Sequence, residues 1–220
     1  MKSIAINGSP RKTWNTAKLL EHALAGAAKK GAETELVHLY DHDFKGCISC
    51  FACKKIGGPS YGRCAVNDGL TPILMKASEA DVLILGTPVY FSAETGEMRS
   101  FLERLLFPFL TYTPGYAPIF PGKLRAGLVY TMNIPEKDLP AYDKIFAASQ
   151  GALRRVFGNC DLLLSTDTYQ FSDYSHYLST AFDAKAKKER REKVFPQDCR
   201  RAFDFGAKLT ATAKVDVGVA

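Results

Sequence analysis

The sequence predicts an α/β protein built on a doubly wound, five-stranded parallel sheet of order 2-1-3-4-5, with helices on both faces. Three observations carry that prediction. Short strand-like runs alternate along the chain with segments whose apolar residues recur at helical spacing. The runs are apolar throughout, as strands covered on both faces must be. A tight, hydroxyl-rich turn joins the first run to the first helical segment, as it does where such sheets bind ligands beyond the carboxyl ends of their strands.

Lys2 to Ile6 reads as the first strand, and from about Asn15 to Lys30 the positions Leu19, Leu20, Ala23, Leu24 and Ala27 mark a helix. Glu33 to Leu39 is the second strand. After a cysteine-bearing loop come a helix over about Leu70 to Ser78 and the strand "DVLILG", Asp81 to Gly86. A helix over about Gly96 to Leu106 precedes the strand "AGLVYTM", Ala126 to Met132, and a helix over about Leu139 to Phe157 precedes "DLLLST", Asp161 to Thr166. The last helix covers about Ala184 to Ala213, with an interruption expected near Pro196, which has no N–H for the helical ladder. No repeat, low-complexity stretch or linker divides the chain. Residues 1–220 are therefore expected to form a single domain with a cysteine-rich loop at 46–64 and a C-terminal helical segment at about 184–213.

A chain of 220 residues can bury a substantial core, and 46% hydrophobic with 24% charged residues is the composition of a soluble globular protein. No apolar run approaches the roughly 20 residues of a membrane span. The opening "MKSIAINGSP" enters a strand directly and does not read as a signal peptide, so a cytoplasmic location is expected. Much of the formal charge of +6 comes from "KAKKERREK", Lys185 to Lys193, read as a solvated helix face in preference to a site for an anionic partner. Basic residues interleaved with stacking aromatics are missing, so neither nucleic acid nor membrane is an expected partner.

The turn "NGSPRKTWNT" opens the chemistry. Backbone N–H groups at the start of the following helix lack helical partners, and the helix dipole favours an anion there. Gly8 permits the turn, Ser9, Thr13, Asn15 and Thr16 add neutral donors, and Arg11 adds a cation. The sequence lacks the second glycine and lysine of G-x-x-x-x-G-K-[ST] and the three glycines of G-x-G-x-x-G, which leaves a terminal monophosphate as the fitting anion. The competing reading is a helix N-terminus whose hydroxyls serve capping alone. "TPVYF", after the third strand, supplies apolar side chains and exposed backbone for a flat ring with polar edges. A monophosphate at one loop and a flat ring at the other make flavin mononucleotide (FMN) the economical ligand.

Taken together in this order, "NGSPRKTWNT", the cysteine loop, "ADVLILGTPVY" and "GLVYTMN" resemble the NAD(P)H-dependent FMN reductase family of the flavodoxin-like superfamily, including its iron-sulfur flavoprotein relatives. The resemblance runs from about Lys2 to Asn133. It implies that Ser9, Arg11, Asn15 and Thr16 hold the FMN phosphate, that Pro88, Val89, Tyr90 and Phe91 lie along the isoalloxazine, and that Thr131, Met132 and Asn133 border the same ring. It further implies hydride transfer from NAD(P)H to the flavin and delivery of electrons to a small-molecule or protein acceptor; a homo-oligomer is expected. Such chemistry belongs to the cofactor, so no acid–base residue is required, and His22, His38, His42 and His176 read as surface or structural residues. The rival readings are an iron-sulfur flavoprotein carrying electrons between protein partners and a non-catalytic flavin-binding redox sensor.

"GCISCFACKKIGGPSYGRC" places Cys47, Cys50 and Cys53 in a C-x2-C-x2-C run, with Cys64 ten residues further on. The run is similar to the compact motif of the iron-sulfur flavoproteins, which implies these four cysteines as ligands of a 4Fe-4S cluster. The last gap exceeds that family's usual spacer. Zinc, a redox disulfide and reduced thiols binding nothing remain open as alternatives. Cys160 and Cys199 stand alone and read as small buried hydrophobes. The stretch "YQFSDYSHY", Tyr169 to Tyr177, reads as a subunit interface or a lid near the flavin.

Overall fold

A computed structural model describes residues 1–218. Five strands, β1 (Lys2–Asn7), β2 (Glu33–His38), β3 (Val82–Pro88), β4 (Arg125–Thr131) and β5 (Asp161–Ser165), pair in parallel in the order β2-β1-β3-β4-β5. Because side chains alternate across a strand, Ile4, Ile6, Leu83, Leu85, Leu128 and Tyr130 enter one core layer, and Ala5, Val82, Ile84 and Val129 enter the other. Helices α2 (Thr71–Ser78), α3 (Gly96–Leu106) and α4 (Asp143–Phe157) supply the first layer. Helices α1 (Asn15–Lys29) and α6 (Phe195–Gly218) supply the second.

The two helices of that second layer touch through glycine. A Cβ on Gly26 would lie 1.9 Å from the Phe203 carbonyl oxygen, and one on Gly206 would lie 1.9 Å from that of Ala23, so only hydrogen at both places lets the backbones meet.

Two helices differ from the sequence expectation. The fourth begins as a 3-10 segment, Glu136–Tyr142, and becomes α-helical only at Asp143, because Pro140 cannot donate to an α-helical ladder. The last is not interrupted at Pro196. Helix α5 (Ala184–Glu189) passes through a π-turn at Arg190–Val194 directly into α6, and the wider turn accommodates the missing donor without a break.

At the carboxyl ends of the strands three segments meet. The Gly8 N–H donates to the Gly86 carbonyl at 2.8 Å, and the Val89 N–H donates to the Thr131 carbonyl at 2.9 Å. Thr95 caps α3 by accepting the Met98 N–H, while its own hydroxyl donates to the Gly8 carbonyl at 2.6 Å. The turn after β1 is thereby fixed against the start of α3.

Candidate functional site

The turn from Gly8 to Trp14 delivers the chain into α1, and the site grows from that junction. Trp14 stands at the N-cap and offers no side-chain cap bond; the first turn of α1 carries no acidic residue. Ser9, Asn15 and Thr16 are buried around this helix end. Their side chains are used otherwise than for capping. The Ser9 hydroxyl accepts the Arg11 N–H at 3.2 Å, the Thr16 hydroxyl meets that of Thr131 at 2.7 Å, and Asn15 donates from Nδ2 to the Tyr169 carbonyl at 2.8 Å. An N-terminus without a side-chain cap and without acid nearby is suited to an anion.

A cavity of about 440 Å³ opens beside it. Of the residues singled out in the sequence, it is lined by Ser9, Arg11, Asn15, Thr16, Pro88, Val89, Tyr90, Thr131, Met132 and Asn133. Thr13 and Phe91 lie outside the lining. Thr13 is exposed. Phe91 sits at the tip of a two-residue turn in which the Tyr90 and Ala93 backbones exchange hydrogen bonds of 2.9 and 3.0 Å. Phe91 (φ 47°) and Ser92 (φ 64°) both take left-handed conformations, and the Phe91 ring is fully exposed.

The remaining wall comes from the segment after β5, whose Tyr169, Phe171 and Tyr177 face the cavity. It is strapped to the first turn: Arg11 donates to the Gln170 carbonyl at 2.6 Å and the Trp14 indole to the Tyr169 carbonyl at 3.0 Å, with the Arg11 guanidinium stacked 3.9 Å over the Trp14 ring. The sequence marked this stretch as a lid or an interface; the structure puts it at the cavity. Arg191 was missed. Its guanidinium donates to Asn15 Oδ1 at 2.6 Å and lies 4.2 Å from the Phe195 ring centre. Lys187 is buried and bonds Asn133 and Asp167, and Arg190 pairs with Asp198 at 2.6 Å. The basic run is therefore not a uniformly solvated face. Its members 187, 190 and 191 recur at three- and four-residue spacing with Phe195, a pattern that signals one inward stripe.

A buried carboxylate braces the second loop. Glu94 accepts from the Tyr130 and Ser149 hydroxyls, and burial together with that carboxylate pushes the Tyr130 hydroxyl well above the usual phenol range.

The cysteine loop lies elsewhere, against α3. Cys47 and Cys50 are exposed, Cys53 is buried and Cys64 is intermediate, and among the described residues no three of the Cys, His, Asp or Glu side chains are arranged to hold a metal ion. Arg104, fully buried, organises the loop: Nε donates to Cys64 Sγ at 3.3 Å, Nη1 to the Lys45 carbonyl and Asp68, Nη2 to the Val66 carbonyl and Asp68. All five guanidinium donors are thus used. Burial pushes the Cys53 thiol up, Lys54 opposing and Cys50 adding to the rise. Ser49 (φ 54°) and Phe51 (φ 55°), flanking Cys50, are both left-handed.

A helix end suited to an anion at the switch between β1 and β3, with an apolar and aromatic cavity beside it, is the ligand-site architecture of the doubly wound α/β class. The family model of the NADPH-dependent FMN reductases matches residues 1–134, and the chain belongs to that family. It is 40% identical over 104 residues to an iron-sulfur flavoprotein of Methanocaldococcus jannaschii, covering 47% of this chain and 51% of the relative. It is 41% identical over 104 residues to an iron-sulfur flavoprotein of Archaeoglobus fulgidus, covering 47% of this chain and 48% of that relative. The matched region thus spans about half the length of these relatives. Among solved structures, the fold is similar to an NAD(P)H:quinone oxidoreductase from Methanothermobacter marburgensis, with a TM-score of 0.67, 14% identity, and coverage of 95% of this chain and 96% of that one. It is also similar to an FMN-dependent NADH-azoreductase from Bacillus anthracis in complex with FMN, with a TM-score of 0.65, 11% identity, and coverage of 96% and 100%. Among the described residues no helix is long and apolar enough to cross a membrane.

Proposed function

We propose that the cavity holds FMN with its phosphate at the start of α1, and that the chain is an NAD(P)H-dependent FMN oxidoreductase passing electrons to a small-molecule or protein acceptor. The observation that carries this reading is the helix end without a side-chain cap, ringed by buried Ser9, Asn15 and Thr16 and opening into the cavity wall of Pro88, Val89 and Tyr90. Family membership and the names of the structural neighbours support it.

Bound FMN supplies a ring that accepts a hydride and releases electrons singly or in pairs. The chain's own part is binding and orientation. First-turn N–H groups and hydroxyls balance the phosphate charge, with Arg191 adding positive potential through Asn15. Pro88 to Tyr90 and Thr131 to Asn133 offer backbone to the ring edge, and Met132, Tyr169 and Phe171 exclude water. Thr13 and Phe91 lie outside the lining of this cradle. The exposed Phe91 and Leu178, next in sequence to the cavity residues Tyr90 and Tyr177, support a homo-oligomer, and six free thiols suit a reducing, cytoplasmic compartment.

A second reading, an iron-sulfur flavoprotein carrying electrons between proteins, is favoured by the relatives' names and by the four-cysteine loop. Anaerobic stopped-flow mixing of FMN-loaded protein with NADPH and with NADH separates the two. Bleaching of the flavin by either nucleotide is the expected result. Bleaching by dithionite alone would overturn the reductase reading, and iron with labile sulfide in the same preparation would then establish the second.

A further inference from the structure

None of the four histidines has a partner legible in the sequence, yet His38 is joined to the turn that begins the site. His38 ends β2 and Asn7 ends β1, and the two face each other in register, with Asn7 Nδ2 2.9 Å from His38 Nδ1. Asn7 is fully buried, and its Oδ1 accepts the Ser9 N–H at 3.0 Å. A backbone N–H can only donate, so the amide oxygen must face Ser9 and the amide NH2 must face the imidazole. That NH2 can only donate, so Nδ1 must accept. The imidazole in this arrangement is neutral, with its proton on Nε2.

A proton added to Nδ1 would confront the Asn7 NH2 with a second donor. Rotating the amide to relieve that conflict would aim the NH2 at the Ser9 N–H instead. Either arrangement leaves a buried donor without an acceptor and loosens Ser9, whose hydroxyl in turn holds the Arg11 N–H.

We infer that His38 is a positioning residue which, through Asn7, holds the Gly8–Thr16 turn in its phosphate-binding geometry only while the imidazole is neutral, so that cofactor affinity falls in acid. The inference rests on the phosphate reading above. The charged group facing His38 is Asp41 beyond β2, which itself faces Lys12 from the turn and His42. Lys12 holds the Asp41 carboxyl below its usual range, so that carboxylate stays ionised with its charge engaged by lysine. The phosphate acts in two further ways: as an anion it favours a cationic imidazole, and it takes up a proton itself near pH 6.

Fluorescence titration with FMN at pH 8 and pH 5.5, on wild type, His38→Asn and His38→Leu, separates these effects. Asparagine places an amide oxygen where Nδ1 stands, an acceptor that does not titrate, whereas leucine offers none. Acidification is expected to weaken wild type about tenfold more than His38→Asn, and His38→Leu to bind about tenfold less tightly than wild type at pH 8. Equal pH dependence in wild type and His38→Asn would overturn the inference, as would relatively tighter wild-type binding in acid. Nitrogen NMR of the wild-type apoprotein is independent of the variants' folding and of FMN. It should show the Nε2–H tautomer at pH 8 and a Ser9 amide signal that moves with the His38 titration; the Nδ1–H tautomer would overturn the inference. Failure of the phosphate reading shows separately, as equal wild-type affinity for FMN and riboflavin at pH 8.

Discussion

In the turn from Gly8 to Thr16 the side chains of the motif are drawn together, with Ser9, Asn15 and Thr16 buried at one helix end. In the loop from Cys47 to Cys64 they sit in unlike surroundings, with two thiols exposed, one buried and one held by Arg104. The contrast follows from what shapes each loop. The first is short and spans a strand and the helix it feeds, so its geometry follows from the parallel sheet and from backbone bonds such as Gly8 to Gly86. The second is long and takes its shape from a side chain of α3 that lies 40 residues from Cys64. A motif built on helix-end geometry takes its form from the sheet, whereas one built on side chains of a long loop depends on what the loop packs against.

The sharpest way to break this contrast is to remove the organiser of the second loop. Arg104→Met leaves Asp68 largely buried without its partner and should cost about 3 to 5 kcal/mol of folding stability, read by urea denaturation, with faster labelling of Cys64 by a thiol reagent. Burial raises the Asp68 carboxyl, but the Arg104 guanidinium and the Leu70 N–H together bring it below its usual range. With the folded value depressed, the pair's contribution is present above the ordinary carboxylate range and is lost as pH falls through it. The gap between wild type and variant should therefore narrow as pH falls below about 4, leaving the cost of the lost bonds to the Lys45 and Val66 carbonyls. A variant as stable as wild type at neutral pH would show that the loop holds itself.

The tip of the Tyr90–Ala93 turn is intermediate: its backbone is strained, yet the Phe91 ring touches nothing that would repay the strain. Phe91→Asn, which suits a left-handed position, should raise stability by about 0.5 to 1 kcal/mol in the same denaturation assay. A loss of stability would mean that the ring is packed after all.

Strand order, the helix positions around the sheet and the two loops of the cavity were legible because apolar periodicity and strand–turn–helix junctions are local signals. What lay beyond reach was set by distant contacts. Arg191 reads as one cation in a charged run until α5 and the π-turn carry it to Asn15, 176 residues away in sequence. Trp14 and Tyr169 are ordinary aromatics until a hydrogen bond joins them across the cavity rim. Phe91 failed as a lining residue for the opposite reason: its neighbours reach the cavity, but a left-handed turn points it away. His38 became meaningful only through the cross-strand pair with Asn7.

The central claim, that the start of α1 is a phosphate site, is tested most directly by comparing FMN with riboflavin on wild type and on Ser9→Ala/Thr16→Ala apoprotein by fluorescence titration. Wild type is expected to bind FMN far more tightly than riboflavin. The double variant should lose about 2 to 4 kcal/mol of FMN affinity and little of its riboflavin affinity, because the lost hydroxyls serve a charged phosphate. Equal affinity of wild type for the two ligands, or unchanged FMN affinity in the variant, would contradict the account.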